Sequence, residues 1–289
     1  PSAVAVDGLG RVLVADTGNN RIRLIDLDGT ISTIAGTGVG GFSGDGGPAL
    51  LAQLANPHGI AVDGLGHVLI ADSDNNRIRR IDIDGTIATI AGNGIADYTG
   101  DGGQAVAAEL SSPFGVAVDG QDRVLVADTG NSVIRRVDTN GRIATIAGTG
   151  NGGYSGDGGA ATSADLQFPV TVAVDATGAV LILDTLNQRV RRVSAGGTIT
   201  TVAGTGTAGY SGDGGTATAA AIQNPQGLAV DAQGAIAIAD TTNERVRRVD
   251  TTGAITTIAG NGTFGVGGGG GEATAATLAN PFDATIDAQ

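Results

Sequence analysis

The residues of this chain that could perform chemistry are carboxylates, arginines and two histidines, because cysteine is absent. Without cysteine there is no thiol nucleophile, thiolate metal site or disulfide. His58 and His67 lie in the same stretch of sequence, and no third imidazole accompanies them as a metal triad would require. No nucleophile with its base can be assembled either, so we predict no catalytic residues. His67 should be exposed at the start of a strand.

Carboxylates recur at two kinds of turn. The Asp-x-Asp-Gly turns at 26–29 and 82–85 resemble half of a calcium loop, but they lack the acidic residue at its twelfth position. We interpret them as hairpin turns. Gly-Asp-Gly-Gly loops carry a second set, Asp45, Asp101, Asp157 and Asp213, with Gly269 in the fifth copy. Helix capping is the favoured role of this set, and contact with a glycan or a divalent cation such as calcium is the alternative. We predict no other cofactor.

Polar residues also recur at a third kind of turn, Asp16 to Arg21, whose Asp and Asn can bond their own turn backbone. A further arginine recurs in every copy, and salt bridges to aspartate explain it better than an anion site. This set is Arg23, Arg79, Arg135, Arg191 and Arg247. Residues repeated in every copy usually hold the repeat together, so we assign both sets structural roles.

These residues are positioned by an internal repeat of 56 residues, visible in AVAVD, GIAVD, GVAVD, TVAVD and GLAVD, which end at Asp7, Asp63, Asp119, Asp175 and Asp231. The predicted repeats are 1–56, 57–112, 113–168, 169–224 and 225–280, with a partial sixth at 281–289. We expect them to form one domain. The degenerate copy ATIDA places Asp287 in register, which predicts the inner strand of a sixth blade at 284–287.

Each repeat holds four short runs rich in Val, Ile and Thr, separated by short turns, which predicts a four-stranded antiparallel meander. Tandem sheets without long helices can bury both faces by stacking radially, so the predicted fold is an all-β propeller. In the third run Ile78 and Ile81 should face inward, and Arg77, Arg79 and Arg80 should face solvent. The Gly-rich inserts between blades should form short helical turns, with Asp45 at an N-cap and Pro48 near the first turn.

The strand ending in AVD, the segment ADTGNNRIR at 15–23 and the following Asp-x-Asp-Gly turn resemble the NHL-repeat β-propellers. The IAGTG and GFSGDGG segments are similar to the bacterial subset of that family and to the propeller of teneurin-type surface proteins. The resemblance implies six blades in the full protein, with five-bladed closure as the alternative. It also implies a location outside the cell or in the cell envelope, as part of a larger protein.

Charge and hydropathy limit the partners. All 16 basic residues are arginine, and 29 acidic residues give a net charge of -13. Such a chain repels nucleic acid and anionic lipid, so we predict no nucleic-acid partner. No run of 18 apolar residues occurs, which predicts no membrane insertion.

Side chains diverge at the position before each inner strand, where the backbone has the same role in every repeat. This row is Ser2, His58, Phe114, Val170, Gln226 and Phe282. We predict that it forms the rim of a central channel and contacts a protein or glycan partner, with neutral drift as the alternative. A second position is aromatic in four repeats, at Phe42, Tyr98, Tyr154 and Tyr210. These rings should attach each insert to a blade by packing against it, and they could also stack on sugars.

Two functions follow. The first is a non-catalytic scaffold that offers the channel rim and the loop face to a partner. The alternative is a lyase or hydrolase that holds a divalent metal in the channel through carboxylates and His58. The enzyme would require a metal, or two titratable side chains within hydrogen-bond reach of each other at the rim.

Overall fold

Each 56-residue repeat folds into one antiparallel sheet of four strands, as its four apolar runs and short turns predict. The computed structural model describes residues 1–286. It has the β-propeller fold, with five four-stranded blades whose strands follow one another in sequence order. No helix within these residues has the length and apolar character needed to cross a bilayer.

The first compact unit, Pro1–Asn151, holds three blades. Blade 1 contains β1 (Ala3–Val6), β2 (Val12–Asp16), β3 (Arg21–Ile25) and β4 (Ile31–Ala35). Blade 2 contains β5 (Pro57–Val62), β6 (Val68–Asp72), β7 (Arg77–Ile81) and β8 (Ile87–Ala91). Blade 3 contains β9 (Pro113–Val118), β10 (Val124–Asp128), β11 (Val133–Val137) and β12 (Ile143–Ala147).

The second compact unit, Gly152–Gln289, holds two blades and the insert that precedes them. Blade 4 contains β13 (Pro169–Val174), β14 (Val180–Asp184), β15 (Arg189–Val193) and β16 (Ile199–Ala203). Blade 5 contains β17 (Gly227–Val230), β18 (Ile236–Asp240), β19 (Arg245–Val249) and β20 (Ile255–Ala259).

The turn between the second and third strands of each blade is a single 3-10 turn followed by a left-handed residue. In blade 2 it covers Ser73–Asn75, and Asn76 has a φ of 52°. Asparagine tolerates this conformation better than most residues, which explains why the motif repeats Asn there in two blades. The equivalent turns are Thr17–Asn19, Thr129–Asn131, Thr185–Asn187 and Thr241–Asn243.

The hydrophobic core of the first unit lies between successive blades. Leu13 and Ile22 of blade 1 belong to one buried cluster with Ile70 and Ile87 of blade 2. A second cluster joins Leu69 and Ile78 of blade 2 to blade 3. Face-to-face packing of neighbouring sheets therefore buries the apolar side chains that a lone sheet would leave in water.

The inserts contain the predicted short helical turns, but the predicted N-cap is wrong. The 3-10 turn of the first insert is Ala49–Leu51, its N-cap residue is Pro48, and no side chain caps it. Asp45 instead binds the following blade through Arg79. The equivalent turns are Ala105–Ala107, Ala161–Ser163, Ala217–Ala219 and Ala273–Ala275.

The solvent-facing assignment of Arg79 is also wrong. Arg79 is fully buried, whereas Arg77 and Arg80 of the same strand are partly exposed. Alternation along β7 predicts one apolar face and one solvent-facing face, but a blade inside a propeller packs on both faces. A buried arginine is stable there because carboxylates lie within reach of it.

The predicted inner strand of a sixth blade is not observed. Residues 281–286 have no regular secondary structure, and Asp287 lies outside the described residues. An extended segment becomes a strand through ladder hydrogen bonds, and no described residue forms such a ladder with 284–286. The segment still lies beside blade 5, because Thr241 Oγ1 donates to the Pro281 carbonyl at 2.8 Å.

Leu110 tests the packing of an insert against the blades. It is fully buried in the second cluster, so Leu110→Ala should lower the free energy of unfolding by about 2–5 kcal/mol through the cavity it leaves. Val106 lies on the exposed side of the same insert, so Val106→Ala should change the free energy of unfolding by less than about 0.5 kcal/mol. Urea unfolding followed by circular dichroism measures both, and equal effects would contradict this packing.

Candidate functional site

In blades 2 to 5 the recurring aspartate at the end of the second strand is buried and accepts several hydrogen bonds. Asp72 accepts hydrogen bonds from the backbone N–H of Ala55 at 2.7 Å and from Asn75 Nδ2 at 2.8 Å. Asn75 Nδ2 also donates to the Gly41 carbonyl at 2.8 Å. The motif therefore holds more than its own turn, because it ties blade 2 to the insert before it. Asp128, Asp184 and Asp240 accept the equivalent backbone hydrogen bonds in their blades.

The arginine that follows pairs with two carboxylates. Arg79 Nη1 lies 3.3 Å from Asp72 Oδ2, and its Nη2 lies 2.7 Å from Asp45 Oδ1. Nη2 also donates to the Ser43 carbonyl at 3.2 Å. The predicted salt bridges are thus confirmed, and the loop aspartates predicted as caps are their partners. The equivalent pairs are Arg135 with Asp101, Arg191 with Asp157 and Arg247 with Asp213.

Sequence reasoning found both members of these pairs but did not join them. The sequence feature that could have revealed the pairing is a constant separation of 34 residues between the loop aspartate and the arginine of the next repeat. Residues in different repeats are adjacent only once the blades stack, so no pattern within one repeat connects them.

Burial and hydrogen bonding shift the aspartate pKa values in opposite directions. Burial raises the pKa of Asp128 to about 6, although hydrogen bonds from Asn131 and Ser111 oppose the rise. Burial likewise raises the pKa of Asp72, Asp184 and Asp240. Burial would also raise the pKa of Asp157, but hydrogen bonds from Thr201 and Arg191 and the Arg191 charge hold it below its usual value.

The aromatic rings attach inserts to blades, as predicted. Phe42 lies under the guanidinium of Arg77 at 3.7 Å, and Tyr154 lies under Arg189 at 3.6 Å. The Tyr154 hydroxyl also donates to Asp157 Oδ2 at 3.0 Å. Tyr210 forms both contacts, with Arg245 and with Asp213. In blade 3 Val133 replaces the arginine equivalent to Arg77, and the Tyr98 ring lies 5.1 Å from the guanidinium of Arg135 instead.

The Asp-x-Asp-Gly segments are hairpin turns, as predicted. Asp28 Oδ1 accepts the backbone N–H of Thr30 at 2.8 Å, and Gly29 has a φ of +82° that favours glycine. That hydrogen bond lowers the pKa of Asp28. Over residues 1–286 there is no group of three or more His, Asp or Glu side chains placed to hold a metal ion.

The predicted exposure of His67 is wrong. Its Nδ1 lies 2.7 Å from Asp63 Oδ2, and only 18 % of its side chain is exposed. His67 occupies the same place in blade 2 as Arg11 and Arg123 in blades 1 and 3, which bond the equivalent aspartates Asp7 and Asp119. The imidazole of His67 therefore stabilises the turn between β5 and β6.

The variable row is brought together within the first unit. Ser2 Oγ donates to the His58 carbonyl at 3.0 Å. The His58 ring stacks on Phe114, with centroids 4.2 Å apart and an interplanar angle of 11°. His58 and Phe114 lie inside β5 and β9, not before them as predicted, because these strands begin at the preceding proline. Burial lowers the pKa of His58, which favours the neutral form of its ring.

In the second unit, Val170 is buried, Gln226 donates its Nε2 hydrogen to Asn224 Oδ1 at 3.0 Å, and Phe282 is partly exposed. Thr171 Oγ1 donates to the Gln226 carbonyl at 2.8 Å.

The repeat matches known protein families. The model of the teneurin NHL domain matches residues 40–99, 94–153 and 206–267, and the NHL repeat model matches residues 1–23. The chain belongs to the NHL-repeat family of the teneurin type.

Relatives of this NHL propeller are much longer than it is. Human Teneurin-4 is 31% identical over 280 residues, covering 82% of this chain and 10% of the relative. The chloroplastic protein SUPPRESSOR OF QUENCHING 1 of Arabidopsis thaliana is 28% identical over 265 residues, covering 86% of this chain and 25% of the relative. The chain thus spans a quarter or less of these two proteins.

A solved structure of a streptogramin B lyase shares the fold. Its TM-score is 0.58 at 16% identity, over 89% of this chain and 67% of the lyase. At this identity the likeness concerns the fold alone, because one propeller scaffold carries many functions.

Asp128 gives a pH dependence with a defined sign. Its folded pKa of about 6 lies above the ordinary value of 3.8. The folded state therefore binds the proton of Asp128 more tightly than the unfolded state does. This difference in proton binding stabilises the folded protein fully below pH 3.8, and the stabilisation is lost as the pH rises through 6. The unfolding free energy of the wild type minus that of Asp128→Asn should fall between pH 4 and pH 7. Urea titrations across this range measure it, and a difference that rises with pH would refute the shift.

The pKa of the His58 imidazole provides a second test of burial in the structure. Because burial lowers its pKa, the imidazole should titrate below the ordinary value of 6.5, and Phe114→Ala should move the pKa back upward by exposing the ring. Carbon-13 NMR of the imidazole measures both, with His67→Gln to assign the two signals. An unchanged His58 pKa in Phe114→Ala would show that stacking does not bury this ring.

Proposed function

We propose that this NHL propeller is a non-catalytic binding module that presents the residues at the start of its inner strands to a protein partner. The observation that carries the proposal is the stacked pair of His58 and Phe114 beside Ser2. A neutral imidazole on a phenyl ring offers a rigid, mostly apolar surface with few rotatable bonds. Aromatic residues are enriched at the cores of protein interfaces, where a few side chains supply most of the binding energy.

The recurring residues support the proposal because they already have structural roles. The buried arginines and aspartates bond one another, and the aromatic rings of the inserts lie under arginines. Substitution of a residue with such a role is expected to lower the stability of the fold, which limits change at these positions. The variable row lacks such a role in common, and its side chains differ from blade to blade.

The proposal extends to the equivalent positions of the second unit and to the loop face. The former are Gln226 and Phe282, because Val170 at the equivalent position is buried and cannot contact a partner. The latter are Asp45, Asp101, Asp157, Asp213, Tyr98, Tyr154 and Tyr210, whose carboxylates and rings remain partly exposed at their edges. Glycans would use the same exposed rings, and they are the competing class of ligand.

We propose further that the protein works outside the cell or in the cell envelope, as the similarity to teneurins suggests. Protease treatment of intact cells measures this location. Digestion of the propeller without lysis is expected, and protection until lysis would contradict it.

Phe114 tests the binding surface directly. Peptides selected from a random phage library on the wild-type protein should bind Phe114→Ala at least about tenfold more weakly, since a buried aromatic anchor is lost. Phe264→Ala is the matched control, because Phe264 is an exposed ring in the fifth insert. Fluorescence anisotropy with each selected peptide measures both dissociation constants.

Equal binding by the wild type and Phe114→Ala would place the contact elsewhere on the molecule. A glycan array probed with the same two variants separates the competing ligand class. Binding of a glycan that depends on Phe114, without any selected peptide, would overturn the proposal of a protein partner.

A further inference from the structure

Two hairpin turns at one end of blades 1 and 2 have exposed aliphatic side chains at their tips. The turns β1–β2 and β3–β4 lie at the same end of blade 1, because successive strands are antiparallel. Leu9 in the first turn is 68% exposed, and Leu27 in the second is 73% exposed. Leu65 and Ile83, at the same positions of blade 2, are 70% and 79% exposed. Blade 2 packs between blades 1 and 3, so this exposure is a property of the turns themselves.

The two turns of each blade lie against each other. A Cβ added to Gly10, next to Leu9, would lie 3.7 Å from Leu27 Cδ2. In blade 2, His67 Nε2 in the first turn lies 4.0 Å from Asp82 Oδ1 in the second. The aliphatic residues of the two turns are therefore neighbours within each blade.

The turns of blade 1 also adjoin those of blade 2, because the inner strands of the two blades are neighbours. Ala5 of β1 and Val62 of β5 pack against the same buried cluster, just before these turns begin. At the other end of the same strands, Ser2 Oγ donates to the His58 carbonyl at 3.0 Å. The four aliphatic residues together are called the apolar turn patch: Leu9, Leu27, Leu65 and Ile83.

The hairpin turns do not need these aliphatic side chains. Blade 3 has Gln121 where Leu9 stands in blade 1, and Thr139 where Leu27 stands. The second turn of blade 3 is nevertheless closed by the same 2.9 Å backbone hydrogen bond as that of blade 1. The residues at these two positions in blades 4 and 5 are Thr177, Ala195, Gln233 and Thr251. An aliphatic tip thus exposes apolar surface without closing the turn, which is typical of a surface that a partner covers.

Aspartates outnumber arginines around the apolar turn patch. The turns and the strand ends before them are residues 7–11, 24–30, 63–67 and 80–86. They contain six aspartates and two arginines. The corresponding residues of blade 3, 119–123 and 136–142, contain three of each. The excess of negative charge is therefore specific to the blades that have the aliphatic tips within the first unit.

Three exposed aspartates of these turns form no salt bridge within residues 1–286: Asp26, Asp28 and Asp84. In blade 2, Arg80 Nε lies 2.6 Å from Asp82 Oδ1, but Leu24 replaces that arginine in blade 1. The backbone N–H groups of Thr30 and Thr86 hold two of the three carboxylates, at 2.8 and 2.9 Å. Fixed carboxylates without a cation thus lie beside exposed apolar side chains.

We propose that the apolar turn patch is a docking site for a cationic amphipathic segment of another protein. Aliphatic side chains of the segment cover the patch, and its lysines or arginines pair with the three free aspartates. An apolar centre with a polar, charge-complementary rim is the usual composition of a protein interface. This surface lies at the opposite end of the inner strands from the residues of the proposed function, and the inference does not rest on that function.

Charge disfavours two other occupants of the patch. A second copy of this chain has a net charge of -13, no lysine, and the same excess of aspartate. An anionic lipid surface has the same sign of charge as the aspartates. A cationic segment is the occupant that satisfies both the apolar side chains and the unpaired carboxylates.

A labelled amphipathic peptide of leucine and lysine is the probe for this site. We expect saturable one-to-one binding to the full chain, measured by fluorescence anisotropy. The same peptide with glutamate in place of each lysine, or serine in place of each leucine, should bind at least about tenfold more weakly. Binding of the leucine–lysine peptide should also weaken as the salt concentration rises.

Residues taken from blade 3 locate the contact without disturbing the turns. A fourfold variant should bind the leucine–lysine peptide at least about tenfold more weakly, because the apolar contact is lost. Its changes are Leu9→Gln, Leu27→Thr, Leu65→Gln and Ile83→Thr. The matched control is Val39→Thr with Ile95→Thr, which removes exposed aliphatic side chains from two inserts and should bind like the wild type.

A charge variant tests the rim of the patch separately. Asp28→Asn with Asp84→Asn should weaken binding of the leucine–lysine peptide at least about threefold, since two cation partners are lost. Blade 3 has Asn140 at this position, so the turn accommodates asparagine. The matched control, Asp97→Asn with Glu272→Gln, removes the same charge from exposed positions elsewhere and should leave binding unchanged. This variant still tests the site even if the fourfold variant does not fold.

Four results would overturn the proposal. The first is equal affinity of the three peptides for the wild type, and the second is equal affinity of the wild type and the fourfold variant for the leucine–lysine peptide. The third is a dimer of the wild type, seen by light scattering, that the fourfold variant does not form. The fourth is binding to phosphatidylcholine vesicles that the fourfold variant loses, without saturable binding of the peptide.

Discussion

A buried guanidinium needs a carboxylate and several oxygen acceptors, and this requirement governs how the blades are joined. Arg79, Arg135, Arg191 and Arg247 are all fully buried, and each lies between two aspartates. One aspartate comes from the arginine's own blade and the other from the preceding insert. Removal of either partner would leave an uncompensated charge inside the protein, which typically costs about 3–5 kcal/mol. The ion pairs therefore fix the order and spacing of neighbouring repeats more strictly than apolar packing alone.

This arrangement makes each blade incomplete by itself. The strands of one repeat supply the arginine, and the glycine-rich loop of the repeat before it supplies the carboxylate and the ring. Glycines are needed in that loop because Gly44 approaches Ala52 so closely that a Cβ would lie 2.7 Å from its Cα. Repeat proteins owe their stability to such interfaces between neighbours, and an end repeat must differ from the others or be covered. In blade 1 Arg23 is partly exposed, whereas its four counterparts are fully buried.

The same constraint separates structural residues from functional candidates. Positions that take part in the ion pairs recur in nearly every blade, and the one departure, Gly269, lies in the fifth insert. Positions outside this network are free to diverge, and the side chains of the row from Ser2 to Phe282 do so. Divergence at a constant backbone position is the pattern expected of a surface adapted to a partner.

The sequence by itself determined the repeat, the four strands of each blade, the hairpin turns and the propeller fold. These follow from local patterns, since apolar alternation and turn residues act over a few positions. It also paired the recurring arginines with aspartates as chemical types. The tertiary structure alone decided which aspartate each arginine binds, because Asp45 and Arg79 lie in different repeats and meet only when blades stack. For the same reason it decided that Arg79 is buried, that Asp45 is not a helix cap, and that His58 stacks on Phe114.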